Sequence, residues 1–149
     1  EEKSPARESR ARAAKWLDKH KPTETTQTLA LGLYRDVREG KPSRDIESGI
    51  AKLLGRQNRD GGWGQDRGLA SDAYATGQAL YFLSLAGLKK GRKEVVRGLS
   101  FLVATQKEDG RWLTPPRAHK GAKPANNVAP ITYLGSAWAT LGLMRSAPG

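Results

Sequence analysis

Apolar residues recur at three- and four-residue spacings in six segments of the chain, and no segment shows the alternation of a half-buried strand. In the second segment, for example, Leu29, Leu33 and Val37 fall on one helical face. The sequence therefore predicts an all-α protein. The predicted helices run from Arg7 to His20, from an N-cap at Thr23 to Gly40, from Ser43 to Gln57, from Ser71 or Asp72 through Leu88, from Lys93 to Gln106, and from Pro130 or Ile131 through Met144.

An internal repeat emerges from two short stretches, QNRDGGW at 57–63 and QKEDGRW at 106–112. Aligning them sets Leu53 against Leu102, and the helices that follow have a similar composition. A Thr-x-Gln-x-Leu pattern ending at Leu29 also matches one ending at Leu80. We therefore predict one domain, 1–149, built of three helical hairpins at about 7–40, 43–90 and 93–146, of which the first lacks the motif.

The repeated stretch has the residues of a structural turn. Gly61 can adopt a positive φ, and Asp60 can accept hydrogen bonds from turn amides. Trp63 can cover a helix end while its N–H finds a partner, and the Gln57 amide can link backbone groups of adjacent hairpins. The second copy offers the same set at Gln106, Asp109, Gly110 and Trp112. The sequence thus predicts a clamp between repeats rather than a reaction centre.

Composition narrows the range of functions. The 149 residues include no cysteine and two histidines, His20 and His119, so thiolate metal sites and histidine-rich centres are excluded and no cofactor is expected. A formal net charge of +11 favours an anionic partner such as a phospholipid surface, whereas no motif supports nucleic-acid binding. The connection 113–129 is basic, proline-rich and long, which favours a surface loop or disorder.

Two features of the sequence bear on the cellular compartment, namely the length of its apolar runs and its first residue. No apolar run is long enough to span a bilayer, so we expect a soluble chain. The first residue is Glu1 rather than methionine, which favours a processed or exported form, or the C-terminal part of a longer protein.

The spacing Gln-x-x-x-Gly-x-Trp, present at 57–63 and 106–112, resembles the QW motif of squalene-hopene and oxidosqualene cyclases and of related prenyltransferase and squalene oxidase repeat proteins. The resemblance extends over about 43–145. It implies an α/α toroid, in which the QW turns follow the outer helices and the inner helices begin near Thr25, Asp72 and Ile131. Three hairpins would form an incomplete arc, which an upstream region or another copy of the chain could complete.

The concave inner face of such an arc is the expected ligand surface. Its candidate binding residues are Tyr74, Thr76, Gln78, Tyr81, Tyr133 and Trp138. Aromatic rings there could stack on a cation, a polyene or a sugar, or could simply form the core.

Asp72 is the candidate catalytic acid. Family members that protonate their substrate use an Asp-x-Asp-Asp cluster, but this chain has a single carboxylate at the corresponding helix start. A lone exposed Asp72 after Ser71 is better suited to be an N-cap or a first-turn residue favoured by the helix dipole than an acid.

The expected function is therefore a non-catalytic binding or scaffold module for an isoprenoid, a lipid or another apolar ligand. The alternatives are part of a terpenoid cyclase completed by a missing N-terminal region, and a toroid polysaccharide lyase, whose acidic substrate would suit the basic charge. Zinc-dependent prenyl transfer and thioester chemistry are excluded because both need a cysteine.

Overall fold

The protein is described by a computed structural model at residues 4–20, 23–117 and 128–147. Within these ranges the chain forms helices and isolated bridges, and no β-strand. The helices are α1 (Pro5–Lys19), α2 (Thr26–Arg38), α3 (Ser43–Leu54), α4 (Ala73–Leu85), α5 (Lys93–Thr105) and α6 (Ala129–Ser146).

The helices form two layers. Helix α4 lies between α2 and α6, and these three helices form the inner layer. Helix α3 packs against α2, and α5 packs against α4 and α6, so α3 and α5 form the outer layer. The all-helical, toroid-type array of hairpins predicted from the sequence is confirmed.

The helix boundaries differ from the prediction at several places. Helix α4 ends at Leu85 rather than reaching Leu88, because Gly87 adopts a positive φ of 84°. The N-cap of α2 is Thr25 rather than Thr23, because Thr25 and Thr28 form a reciprocal capping box that satisfies two backbone amides. Helix α3 ends at Leu54 and not at Gln57, since Gln57 already pairs with Trp63 in the turn. The predicted start of α6 beside a proline is confirmed.

Helix α1 stands apart from the other helices. It buries none of its described residues, and it is polar on most sides. An ion pair joins it to α2, with 4.0 Å between Asp18 and Arg35. The region predicted as the first hairpin, 7–40, thus lacks the apolar packing that joins α3 to the rest of the array.

Inner and outer layers meet at two small residues. A Cβ added at Gly98 in α5 would lie 3.1 Å from Leu80 of α4, and one at Gly49 in α3 would lie 3.0 Å from Leu33 of α2. Leu33 therefore occupies in α2 the position of Leu80 in α4. The sequence alignment that paired Leu29 with Leu80 is wrong by one helical turn, because side-chain packing sets the register.

The closest helix contact lies between α4 and α6. A Cβ added at Gly77 would overlap the backbone of Trp138 and come within 2.6 Å of the Ala139 nitrogen, while Gly142 faces the Gly77 backbone. Glycine is needed at position 77 because the two backbones touch there.

We predict that Gly77→Ala lowers the free energy of unfolding by about 1–3 kcal/mol, since the added methyl group overpacks the contact. In a helix with open space around the glycine, the same change would instead raise the free energy of unfolding by about 0.5–1 kcal/mol. Urea unfolding shows whether the free energy of unfolding falls or rises. Gly91→Ala is the control, because a Cβ there meets no atom within 4 Å; a stabilised Gly77→Ala variant would contradict the close contact.

Candidate functional site

The first QW turn joins an outer helix to an inner helix through Trp63. The indole Nε1 of this fully buried side chain donates to the carbonyl of Leu53, 2.8 Å away, near the end of α3. The backbone amide of Trp63 donates to the hydroxyl of Thr76 in α4, also at 2.8 Å. One residue thus adds a hydrogen bond to a helix-end carbonyl, which also accepts from the amide of Arg56 at 3.1 Å, and positions the next helix.

The second turn repeats this arrangement. Nε1 of Trp112 donates to the carbonyl of Leu102 at 2.8 Å, and its amide donates to the hydroxyl of Ser136 in α6 at 3.0 Å. The two tryptophans therefore occupy equivalent positions in successive hairpins.

The glutamine and glycine of each motif close the turn. The Gln57 side-chain amide donates to the carbonyl of Gly61 at 2.8 Å and to the carbonyl of Glu94 in α5 at 2.7 Å, so it links adjacent hairpins. Gln106 repeats the first of these bonds with Gly110 at 2.9 Å. Both glycines have positive φ, +91° and +85°.

The aspartates of the motifs bind local groups. Asp60 accepts from the amide of Gly62 at 3.0 Å and from the hydroxyl of Ser71 at 2.7 Å. Asp109 accepts from the amide of Arg111 at 3.2 Å. These contacts give the eight motif residues a structural role and offer no group for chemistry.

An aromatic cluster spans the three inner helices. Phe82 of α4 lies 5.5 Å from the ring of Tyr34 in α2 and 5.6 Å from that of Trp138 in α6. Tyr81 lies edge-on to Trp138 at 5.7 Å and to Phe82 at 5.2 Å. These four residues are called the aromatic cluster below.

The predicted binding residues separate into different environments. Tyr81 and Trp138 belong to the aromatic cluster, and Tyr74 lies nearby on α4, where its hydroxyl accepts from Gln27 of α2 at 3.0 Å. Tyr133 lies outside the cluster on α6, with 75% of its surface exposed. The expectation for Thr76 is corrected: it faces the outer layer, because its hydroxyl binds the Trp63 backbone.

Tyr34 and Phe82 of the aromatic cluster were not predicted from the sequence. A signal for Phe82 was present, since it follows Tyr74 and Gln78 at intervals of four residues on α4. Tyr34 had no such signal, because its part in the cluster depends on how α2 packs against α4.

Gln78 lies on α4 between Tyr74 and Phe82 and is 2% exposed. Its side-chain oxygen has no hydrogen-bond partner among the described residues. A buried acceptor without a partner costs about 1–3 kcal/mol. Gln78 lies on the helix that carries Tyr81 and Phe82, and its buried oxygen is unpaired. This position is therefore a candidate polar contact for a ligand of the aromatic cluster.

Asp72 is the N-cap of α4, and its carboxylate accepts from the amide of Ala75 at 2.9 Å. The expectation of an exposed carboxylate is wrong, because Asp72 is 5% exposed. Burial raises the pKa of Asp72 above its ordinary value of 3.8, although hydrogen bonds from Ala75 and from the Gln65 side chain act in the opposite direction.

A cavity of about 180 Å³ lies beside Asp72. It runs between the second and third hairpins, and its lining includes Thr105, Lys107 and Trp112. The cavity is distinct in lining from the aromatic cluster, so it is a second candidate site, acidic where the first is aromatic.

The described residues include no group of three or more histidines, aspartates or glutamates that could hold a metal ion. His20 stacks on Trp16 at the exposed end of α1, with ring centroids 4.2 Å apart. His119 and most of the predicted 113–129 loop lie outside the described residues. No described helix is long and apolar enough to cross a membrane.

We expect Trp112→Ala to lower the free energy of unfolding by about 3–5 kcal/mol, because it removes a buried aromatic ring together with the indole hydrogen bond to the carbonyl of Leu102. Trp16→Ala is the matched control: Trp16 is exposed on α1 and should change stability by less than about 0.5 kcal/mol. Chemical denaturation of both variants measures the difference. Equal losses would contradict the clamp role of Trp112.

The raised pKa of Asp72 predicts a pH dependence. Because the folded-state pKa lies above the unfolded value of 3.8, the folded state holds more protons between the two values. The contribution of Asp72 to stability is therefore complete below 3.8 and is lost as pH rises through the folded pKa. Asparagine also caps helices but does not titrate. Asp72→Asn should thus gain stability relative to the parent as pH rises from about 3 to about 7; a relative loss in urea unfolding would contradict the direction of the shift.

Comparison with known proteins identifies relatives for this architecture. Residues 24–127 match the family described as squalene-hopene cyclase C-terminal domain. The chain is 30% identical over 124 residues to a probable squalene–hopene cyclase of Sinorhizobium fredii and 27% identical over 124 residues to the squalene–hopene cyclase of Bradyrhizobium diazoefficiens. Each alignment covers 83% of this chain and 19% of the relative, so the chain spans about a fifth of the length of these proteins. No solved structure gives a significant match.

The family match covers well over half of the chain, and it includes both QW turns, the inner helices α2 and α4, and the outer helices α3 and α5. The chain therefore belongs to the squalene-hopene cyclase C-terminal domain family.

Proposed function

We propose that this chain is a non-catalytic binding module that takes an apolar ligand of the isoprenoid class against the aromatic cluster. The observation that carries the proposal is the convergence of four rings from α2, α4 and α6, with centroids 5.2–5.7 Å apart. Three of these rings, those of Tyr34, Tyr81 and Trp138, are only partly buried. Partly exposed rings offer a large apolar contact area to a polyene chain.

The surroundings of the cluster favour a neutral ligand over a cation. The guanidinium of Arg145 already lies over the Tyr81 ring, 5.9 Å from its centroid. A cationic ligand would compete with this contact and would be repelled by a chain of net charge +11. An uncharged prenyl chain avoids both costs.

Gln78 adds a polar preference to this proposal. Its unpaired side-chain oxygen lies on the helix that contributes Tyr81 and Phe82. A ligand hydroxyl that reaches this buried oxygen would donate a hydrogen bond to it. We therefore favour a prenyl alcohol over a hydrocarbon of the same length.

The surroundings of Asp72 support the non-catalytic part of this proposal. An alkene is protonated by a carboxylic acid whose proton is held by neighbouring carboxyl groups. The groups that act on the Asp72 carboxylate are instead backbone amides, the Gln65 side chain and the positive charge of Arg117. Asp72 also spends one oxygen on the Ala75 amide as the cap of α4. A single carboxylate used in this way is poorly placed to donate a proton.

The binding proposal is tested by calorimetric titration with farnesol in detergent. We expect Trp138→Leu to weaken farnesol binding about tenfold, a loss of about 1.4 kcal/mol, because an aromatic face is replaced by a smaller aliphatic side chain. Trp16→Leu is the matched control and should bind as the parent does, since Trp16 lies on α1 and outside the cluster. Equal affinities for parent and Trp138→Leu would contradict binding at the cluster.

One observation favours the alternative, part of a terpenoid cyclase. Asp72 has a raised pKa and lines a cavity of about 180 Å³, which are properties of a candidate acid. Prolonged incubation with squalene in detergent, followed by product analysis, separates the two functions. We expect no cyclised product; product that disappears in Asp72→Ala would replace the binding proposal with a catalytic one.

A further inference from the structure

The repeat register reveals an interface between neighbouring inner helices that is filled twice inside the chain, by α2 with α4 and by α4 with α6, and that is open at both ends of the array. The amide of Trp63 binds the hydroxyl of Thr76, and the amide of Trp112 binds that of Ser136, so Thr76 of α4 is equivalent to Ser136 of α6. Counting from these two residues gives the further equivalent pairs Gly77 with Ala137, Tyr81 with Leu141, and Ser84 with Met144.

In α4 these positions form the face that contacts α6. The Gly77 backbone touches Trp138, the Tyr81 ring packs against the same indole, and the Ser84 hydroxyl donates to the carbonyl of Arg145 at 3.4 Å. In α6 the equivalent residues are all exposed, and Met144 is the most exposed, at 74%. The exposed face of α6 is thus equivalent to the face of α4 that packs against the next inner helix.

The opposite end of the array presents the complementary face. Packing of Leu33 against Gly49 and of Leu80 against Gly98 makes α2 equivalent to α4, and therefore to α6. The α6 residues that pack against α4 are Trp138, Ala139 and Gly142, and their equivalents in α2 are Leu31, Gly32 and Arg35.

This face of α2 is open. Leu31 is 47% exposed, and a Cβ added at Gly32 would meet no atom within 4 Å. A groove of about 310 Å³ between α2 and α3 opens beside Gly32. Within the part of the chain that the structure describes, both halves of one helix–helix interface are therefore uncovered, one on α2 and the other on α6.

We propose that a second copy of this chain covers these faces, so that α6 of one copy packs against α2 of the other in a head-to-tail contact. The pairing would bring Ala137 against Gly32, in the same way that Gly77 lies against Ala139 within the chain. One small residue on each helix keeps the backbones close. Two copies joined in this way are the smallest assembly that closes on itself.

Electrostatics permits this contact between two strongly basic chains. The α6 face formed by Ala137, Leu141 and Met144 has no charged side chain, so it avoids direct repulsion at a net charge of +11. On the α2 face the charge of Arg35 is balanced by Asp36 at 3.4 Å and by Asp18 at 4.0 Å. The two open faces are thus the surfaces where two copies can meet at low electrostatic cost.

The absence of native cysteine allows a direct test. One chain carries Gly32→Cys, another carries Ala137→Cys, and the two are mixed under mild oxidation. Head-to-tail packing predicts a disulfide between the two variants, because the bond requires Cα atoms within about 7 Å. Within one chain, α4 lies between α2 and α6. Positions 32 and 137 are therefore separated by two interaxial spacings of about 8–10 Å each, which is too far for a disulfide.

Each variant alone provides the control. Disulfide-linked Ala137→Cys without its partner variant would show that α6 faces α6 and would overturn the head-to-tail contact. A mixture that stays unlinked, with a parent chain that sediments as a monomer at all concentrations, would also overturn the proposal. That result would leave the α6 face to a hairpin from outside these 149 residues.

A second variant tests the interface without chemistry. Ala137→Glu places a charge on the exposed α6 face and should weaken self-association at least tenfold, about 1.4 kcal/mol, in sedimentation equilibrium. Val103→Glu, on the exposed side of α5, is the matched control and should associate as the parent does. Equal weakening by both substitutions would mean that added negative charge, and not the α6 face, controls association.

Discussion

The architecture depends on one recurring hydrogen bond, from a QW tryptophan to a carbonyl near the end of an outer helix. In both motifs the indole N–H donates to that carbonyl, at Leu53 or Leu102, while the same residue's backbone amide binds a hydroxyl of the inner helix. Because the indole is buried, neither bond competes with water. These bonds set the position of α4 relative to α3 and of α6 relative to α5.

Glycines in the helices allow the helices to pack closely, and this close packing brings the rings of the aromatic cluster together. Gly98 lets α5 approach Leu80 and the Trp63 ring, and Gly77 lets the backbone of α6 approach α4. With the inner helices this close, rings from α2, α4 and α6 can meet across the face of α4. The candidate binding surface is thus a consequence of the same contacts that stabilise the fold.

Asp72 has features of both a structural cap and a catalytic acid. Its carboxylate caps α4, and its burial raises the pKa of the side chain while an adjoining cavity leaves room for a small group. A cap and an acid make opposite demands, since a cap uses the charged form as an acceptor and an acid must keep its proton. The backbone bond to Ala75 shows that the carboxylate is used as a cap.

The sequence by itself determined the helices, the repeat and the role of the turns, because helical periodicity, glycine in the turn and a spaced glutamine–tryptophan pair are local signals. It also identified Tyr81 and Trp138 from their helical positions. Tertiary structure decided what depends on distant contacts: that Thr76 faces the outer layer, that Asp72 is buried, and that Tyr34 joins the cluster. It also set the register of α2 one turn away from the sequence match, since packing of side chains between layers, and not similarity of residue type, fixes how one helix lies against the next.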